Sequence, residues 1–196
     1  LQQYLPNLDR YIVLSDYDKR DYMEKLGIDC EVKINPRSFV SEKKCDVKSK
    51  RFLMATRFVY AKGLDLMMES FEEFCKEDSE WELDIIGDGD LFDQIRADAK
   101  KRHLEKRVHF VGYTNEPEKY YLNSSVFLLP SRWEGWPMVI MEAFEFGLPV
   151  IAYHMGAMDL IIDDGKTGFL PEAFDPHKFA QAMLKLAHDE ELRARM

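Results

Sequence analysis

From residue 51 onward, short apolar runs bounded by Gly or Pro alternate with segments whose apolar residues recur at helical spacing. The runs at residues 51–55, 81–86, 107–111, 126–129 and 149–153 are predicted strands. Between the first two, Leu64, Met67, Met68, Phe71, Phe74 and Cys75 follow i, i+3, i+4, i+7 spacing, which predicts an amphipathic helix. Further helices are predicted over residues 91–103, 117–123 and 137–146, and a last one begins near Asp175, an N-cap candidate just before Pro176. Strands alternating with helices imply βαβ units, hence an α/β domain with a Rossmann-like parallel sheet and helices on both faces. Such sheets bind ligands beyond the carboxyl ends of their strands. That rule directs attention to residues 56–63, 87–90, 112–115, 130–137 and 154–159.

The first fifty residues read differently. A strand is predicted at 11–15, a helix at 16–26 and a second strand at 30–35, followed by a polar linker over 38–50. The longest apolar stretch, residues 136–148, is interrupted by Glu142 and Glu145 and is shorter than the roughly 20 residues of a bilayer span. The chain begins at Leu1 and ends in a charged run, which leads us to expect a piece of a longer polypeptide. A net charge of −9 argues against a nucleic-acid partner, which needs a basic surface. Lys100, Lys101, Arg102, His103, Lys106 and Arg107 form the one basic cluster, read as a solvated helix end or, alternatively, a membrane-surface patch. The three cysteines, Cys30, Cys45 and Cys75, are scattered without a C-x-x-C pair, which fits a cytoplasmic protein with no disulfide framework and no metal site.

The segment LLPSRWEGWPMVIMEAFEFGLPVIA, residues 128–152, carries the most chemistry. A buried strand stops at Pro130, a turn follows, and a helix is expected with Pro137 at its first position. The N–H groups of Met138 and Val139 then face out of the helix end, an anion site suited to phosphate. Gly135 removes a side chain where a ligand could approach the backbone. Glu134 stands at the mouth of this site. Glu142 lies two turns on, where spacing alone equally allows it to mark, with Glu145, the solvent face of the helix.

In this setting the pair of glutamates resembles the E-x7-E signature of a large family of retaining glycosyltransferases, the glycosyl transferases group 1 or family GT4. TRFVYAKGLDLMMESF at residues 56–71, WELDIIGDGDL at 81–91, RVHFVGYTNEPEKYYLNSSVFLLPSR at 107–132 and YHMGAMDLIIDDGKTGFL at 153–170 are similar to further family segments, in order. The resemblance implies a GT-B enzyme of two Rossmann-like domains. Residues 41–196 then correspond to the C-terminal, nucleotide-sugar-binding domain, and residues 1–40 to the tail of the N-terminal, acceptor-binding domain with its linker. By the same resemblance, Arg57 and Lys62 face the donor diphosphate, and Glu134 binds hydroxyls of the transferred sugar. Glu142 accepts from the ribose hydroxyls, and Gly135, Trp136, Met138 and Val139 supply backbone around the phosphates. The implied reaction transfers a hexose-type sugar, with retention and without a strong protein nucleophile, from a nucleotide sugar to a glycan or lipid-linked acceptor. UDP is the favoured nucleotide, no further cofactor is required, and surface polysaccharide synthesis, in the cytoplasm or at the cytoplasmic face of a membrane, is the expected setting. With most of the acceptor domain absent, the isolated chain is expected to be inactive. A donor-binding module without catalysis, or an epimerase or phosphorylase on the same fold, is the alternative.

Several positions depart from the family pattern. Thr56 stands where Gly is usual, Asp159 replaces a Glu, and Asn35-Pro36-Arg37-Ser38 replaces a Pro-Asn-Gly turn. Asp88-Gly89-Asp90 could hold a metal, but carboxylates at the start of a helix are read first as capping groups. His109 is expected to be structural, and His154 lies nearest the expected sugar site.

Overall fold

The computed structural model describes residues 8–36 and 40–196. Arg37 and Ser38 of the unusual turn therefore lie outside the described residues. In the first segment a short strand β1 (Ile12–Val13), a helix α1 (Asp16–Leu26) and a strand β2 (Glu31–Val32) form a parallel β-α-β unit. The helix has the limits its sequence predicts, because Ser15 caps it by accepting from the Asp18 N–H and Gly27 ends it in a left-handed conformation. Both strands are shorter than expected, since the pair has no further strand beside it among the described residues.

The second segment builds a six-stranded sheet from β3 (Arg51–Ala55), β4 (Glu82–Ile86), β5 (Val108–Gly112), β6 (Val126–Leu129), β7 (Val150–Ala152) and β8 (Gly168–Phe169). The spatial order is β5-β4-β3-β6-β7-β8, and every pair is parallel. Between them run α2 (Leu64–Phe74), α3 (Phe92–Lys101), α4 (Pro117–Leu122) and α5 (Met138–Glu145), with α6 (Pro176–His188) and α7 (Glu190–Arg195) at the end.

Alternation along the central strands explains the two layers. Phe52 and Met54 of β3 and Val126 and Leu128 of β6 point to one face, where Phe71 and Phe74 of α2, Ile95 of α3 and Phe179 and Met183 of α6 cover them. Leu53, Phe127 and Leu129 point to the other, under Tyr121 of α4 and Ile140, Ala143 and Phe146. Both faces are thus dry, as a parallel sheet requires.

The polar stretch before β3 is irregular, as expected, but it is not a loose linker. The Ser41 N–H reaches a Glu145 carboxylate oxygen at 2.8 Å, and the Cys45 and Asp46 N–H groups donate to the carbonyls of Phe146 and Leu122. Two elements escape the sequence pattern: β8, too short to show a period, and α7, whose Arg193 is buried. The basic cluster is partly consumed by the fold. Arg102 pairs with Glu72 and Asp98, and Arg107 with Asp78 and the Trp81 carbonyl. Among the described residues, no helix is long and apolar enough to cross a membrane.

Gly87 follows β4 at a φ of +123°, and a Cβ there would stand 1.8 Å from the Thr56 carbonyl oxygen. Strain and collision therefore add at this position. Gly87→Ala is expected to lower stability by about 3 kcal/mol or more, read as a fall in the urea midpoint; an unchanged midpoint would show that the loop after β3 yields freely.

Candidate active site

The strand order reverses between β3 and β6, so the chain leaves these neighbouring strands in opposite directions and opens a crevice beyond their carboxyl ends. The loops after the two strands fill its rim. A hollow of about 360 Å³ there is lined by Thr56, Arg57 and Lys62 from the first loop and by Glu134, Trp136, Pro137, Met138 and Val139 from the second. Seven of the eight residues singled out in the sequence thus belong to these two loops and the helix start that follows; Glu142 is the exception.

The loops touch closely. Gly63 ends a 3-10 turn (Tyr60–Lys62) at a φ of +64°, and a Cβ on it would fall 2.0 Å from the Pro130 carbonyl oxygen. The Arg132 N–H donates to the Ala61 carbonyl at 2.8 Å. The Arg132 guanidinium lies 4.0 Å over the Tyr60 ring and pairs with both oxygens of Asp65. The same clasp sets out Tyr60 and Trp133, 62% and 58% exposed, with ring centroids 6.0 Å apart.

This closeness brings Lys62 against Glu134. The Lys62 Nζ lies 2.7 Å from Glu134 Oε1, which also accepts from the Ser131 hydroxyl at 2.7 Å. The two side chains are only 21% and 9% exposed, so the pair is largely withdrawn from water, and removing either member would leave the other charge without compensation. Ser131 was not singled out by sequence, although a hydroxyl three residues ahead of a carboxylate is the spacing by which such groups bond locally. Arg57 is exposed and has no ion-pair partner among the described residues. The rim therefore carries two cations and one carboxylate, a local excess of positive charge on an acidic protein.

Pro137 takes the N-cap of α5, with φ −72° and ψ 103°, rather than the first helical position. Its extended ψ is incompatible with a helical turn, so the helix starts one residue later. Met138 and Val139 are then the first two helical residues, whose N–H groups have no intrahelical acceptor, while the Ile140 N–H reaches the Pro137 carbonyl at 3.1 Å. The two N–H groups expected to open the helix are thus still the ones without an acceptor inside it. Gly135 is exposed, and a Cβ on it would meet Leu14 Cδ1 at 3.7 Å, an ordinary contact.

Glu142 does not share the hollow of Glu134. It lines an adjacent one of about 320 Å³ with Val40, Ser41, Pro117, Glu118, Tyr121 and Phe146. Its Oε2 accepts from the Tyr121 hydroxyl at 2.9 Å. Tyr121 is buried, stacked with Phe127 and Phe146. Glu142 and Glu145 are both half-buried and engaged, so neither marks a bare solvent face. Tyr121 lies 21 residues before its partner, a separation no local pattern reveals.

Asp88-Gly89-Asp90 does not cap α3. Leu91 takes the N-cap, and Asp88 accepts from the Gly89 N–H while its carbonyl accepts from Phe58, tying this loop to the one after β3. His109 sits in β5, 2.8 Å from Glu82. His154 lines a separate hollow with Asp159, Leu160 and Ile161.

The family model for glycosyl transferases group 1 matches residues 38–196. An uncharacterized glycosyltransferase of Haemophilus influenzae is 28% identical over 191 residues, which cover 96% of this chain and 54% of that protein. The amylovoran biosynthesis glycosyltransferase AmsD of Erwinia amylovora is 31% identical over 148 residues, covering 74% of this chain and 41% of the relative. The chain thus spans about half the length of the curated relatives it matches. The crystal structure of S. aureus TarM with fondaparinux, alpha-GlcNAc-glycerol and UDP superposes with a TM-score of 0.88 at 24% identity, over 99% of this chain and 40% of that one. At that identity the likeness concerns the fold.

Burial, and then the neighbouring Glu142 charge, hold the Tyr121 phenol well above its ordinary value, and burial pushes Tyr153 up to about 12. As pH rises, the unfolded chain loses these protons first, so their stabilisation is whole below about pH 10 and declines above it. Burial also pushes the Cys75 thiol up to about 11 and raises the Cys45 thiol, so the urea midpoint is expected to begin falling at about pH 8.5 and to fall more steeply beyond about pH 10. Tyr121→Phe should remove about 1.5 kcal/mol at pH 8, the lower end for a bond to a charged group, and make the alkaline decline shallower. An equally steep decline in that variant would mean that Tyr121 ionises in the folded chain.

Proposed function

The chain belongs to the glycosyl transferases group 1 family, and from that premise we propose that it is the donor-binding part of a retaining glycosyltransferase that uses a UDP-sugar. Residues 41–196 form the nucleotide-sugar domain in this reading, and residues 1–40 belong to the tail of the acceptor domain. The observation that carries it is the crevice at the strand-order reversal, where Arg57, the Lys62–Glu134 pair and the first N–H groups of α5 converge on one hollow.

The donor diphosphate lies against Arg57, Lys62 and the Met138 and Val139 N–H groups. These groups favour the charge that grows on the leaving phosphate as the anomeric C–O bond breaks. The bond's electron pair leaves with the nucleoside diphosphate, the acceptor oxygen bonds to the anomeric carbon on the same face, and the acceptor's proton is lost to the leaving group. Glu134, fixed by Lys62 and Ser131 through Oε1, turns its second oxygen to a sugar hydroxyl. Glu142, fixed by Tyr121 through Oε2, offers Oε1 to the ribose. Each carboxylate thus has one oxygen committed to the protein and one left for the ligand. UDP as nucleotide is supported by the bound UDP of TarM, and an acceptor in surface polysaccharide by AmsD. A cytoplasmic setting suits three unpaired cysteines.

Thermal unfolding with UDP, GDP, ADP or NAD tests this directly. At about a hundred times its dissociation constant a ligand stabilises by roughly 2.7 kcal/mol, a rise on the order of 5–10 °C for a domain of this size. UDP is expected to give that rise and Glu142→Ala to reduce it, with NAD inert. No rise with any nucleoside diphosphate would overturn the reading.

A further inference from the structure

Tyr60 and Trp133 are 62% and 58% exposed, with ring centroids 6.0 Å apart and planes tilted by 55°. Among the described residues, no other pair of rings in contact has both members exposed. The core does not need them, since most of each ring faces water. Yet the Tyr60 ring is held in place: the Arg132 guanidinium lies 4.0 Å over it and is itself gripped by both oxygens of Asp65. A fixed apolar surface kept in water marks a binding site.

Size, shape and position indicate the occupant. The open surface of the two rings is on the order of 250 Å², well short of the roughly 800 Å² per partner of a stable protein interface. It matches one or two sugar rings. A flat nucleobase would stack on one ring and leave the other, tilted by 55°, idle. A pyranose is puckered, so its C–H groups can meet both faces of such a V, and the negative faces of aromatic rings favour the slightly positive hydrogens of a sugar. Its rim of hydroxyls meets the half-exposed carboxylate of Asp65. Tyr60 is two residues from Lys62, and Trp133 adjoins Glu134, but neither ring lines their hollow. Asp65 stands in the first turn of α2, which covers the sheet face opposite that of Tyr121, the partner of Glu142. The rings therefore sit outside the hollow, at its Glu134 end and away from Glu142.

We infer that Tyr60 and Trp133 form a platform for a pyranose ring of the acceptor. This rests on the donor site proposed above, in which the transferred sugar lies at Glu134 and the ribose at Glu142, so that the acceptor approaches from the side of the rings. The acceptor class is thereby narrowed to one that presents a sugar ring next to the hydroxyl that reacts. An open-chain polyol phosphate has no apolar face to lay on such a platform.

Saturation-transfer NMR tests this on the chain in the presence of UDP, with methyl β-D-glucopyranoside, methyl β-D-galactopyranoside, diacetylchitobiose and glycerol 3-phosphate as probes. At least one of the three pyranosides is expected to receive saturation at its ring C–H protons, and glycerol 3-phosphate none. Tyr60→Ala and Trp133→Ala should each weaken that binding about fivefold or more, while Trp133→Phe keeps most of it. Melting temperatures and UDP affinity by calorimetry should be unaltered in all three variants, because the rings are exposed and lie outside the donor hollow. No transfer to any pyranoside while UDP binds, or transfer indifferent to both alanine variants, would overturn the inference and leave the donor site standing. Loss of UDP affinity in the alanine variants would make the rings part of the donor site and overturn it as well. Self-association of the chain that Trp133→Ala abolishes, read by sedimentation, would give the platform to a second copy, against the inference. Failure of UDP, GDP and ADP alike to bind would overturn the donor site, and the placement of the acceptor with it.

Discussion

Lys62 and Glu134 hold together the two loops on which the site depends. The loops leave β3 and β6, adjacent strands whose chains depart in opposite directions, so nothing in the regular hydrogen bonding of the sheet joins their tips. An ion pair largely shielded from water does so, reinforced by Ser131 and by the approach of Gly63 to the Pro130 carbonyl. Because removing one member would leave the other buried and uncompensated, the pair also constrains the positions on either side of it. Tyr60 and Trp133 are set out by the same clasp, and Trp136 and the start of α5 follow within four residues of Glu134. The crevice is therefore a preorganised edge rather than a set of independent loops.

The electrostatic contrast follows from the same arrangement. The chain is acidic overall, and several of its cations are spent inside the fold, Arg107 on Asp78 and the Trp81 carbonyl, Arg193 on carbonyls near its own helix. Arg57 has no such partner among the described residues. The local potential at the crevice is therefore set by the cations beside it and not by the net charge of the chain.

The sheet was largely legible in the sequence because its central strands are buried on both faces. β3 and β6, the innermost pair, match their apolar runs residue for residue. At β4, β5 and β7 the expected runs overshoot by one residue at Trp81, Arg107, Pro149 and Tyr153, and of these Arg107 and Pro149 still accept a bond from the neighbouring strand, from the Leu83 and Phe127 N–H groups. β8 spans two residues, too few for any period. For the site, loop positions and the glutamate spacing could be read directly. What could not be read were contacts across the fold: the hydroxyl of Tyr121 on Glu142, the salt link that turns Lys62 toward Glu134, and the separation of the two glutamates into adjacent hollows. Pro137 differs by one position because a proline suits an N-cap as well as a first turn, and only its ψ tells them apart.

The last helix bears on the domain as a unit. Arg193 of α7 donates to the carbonyls of Ala187 and Val47, and Lys48 pairs with Glu190 at 3.2 Å. The stretch that leads into β3 and the helix that follows α6 are thereby bolted side by side, at the amino end of the sheet and away from the crevice. Tied in this way, the approach to β3 and the last helix open only together, as one cooperative unit.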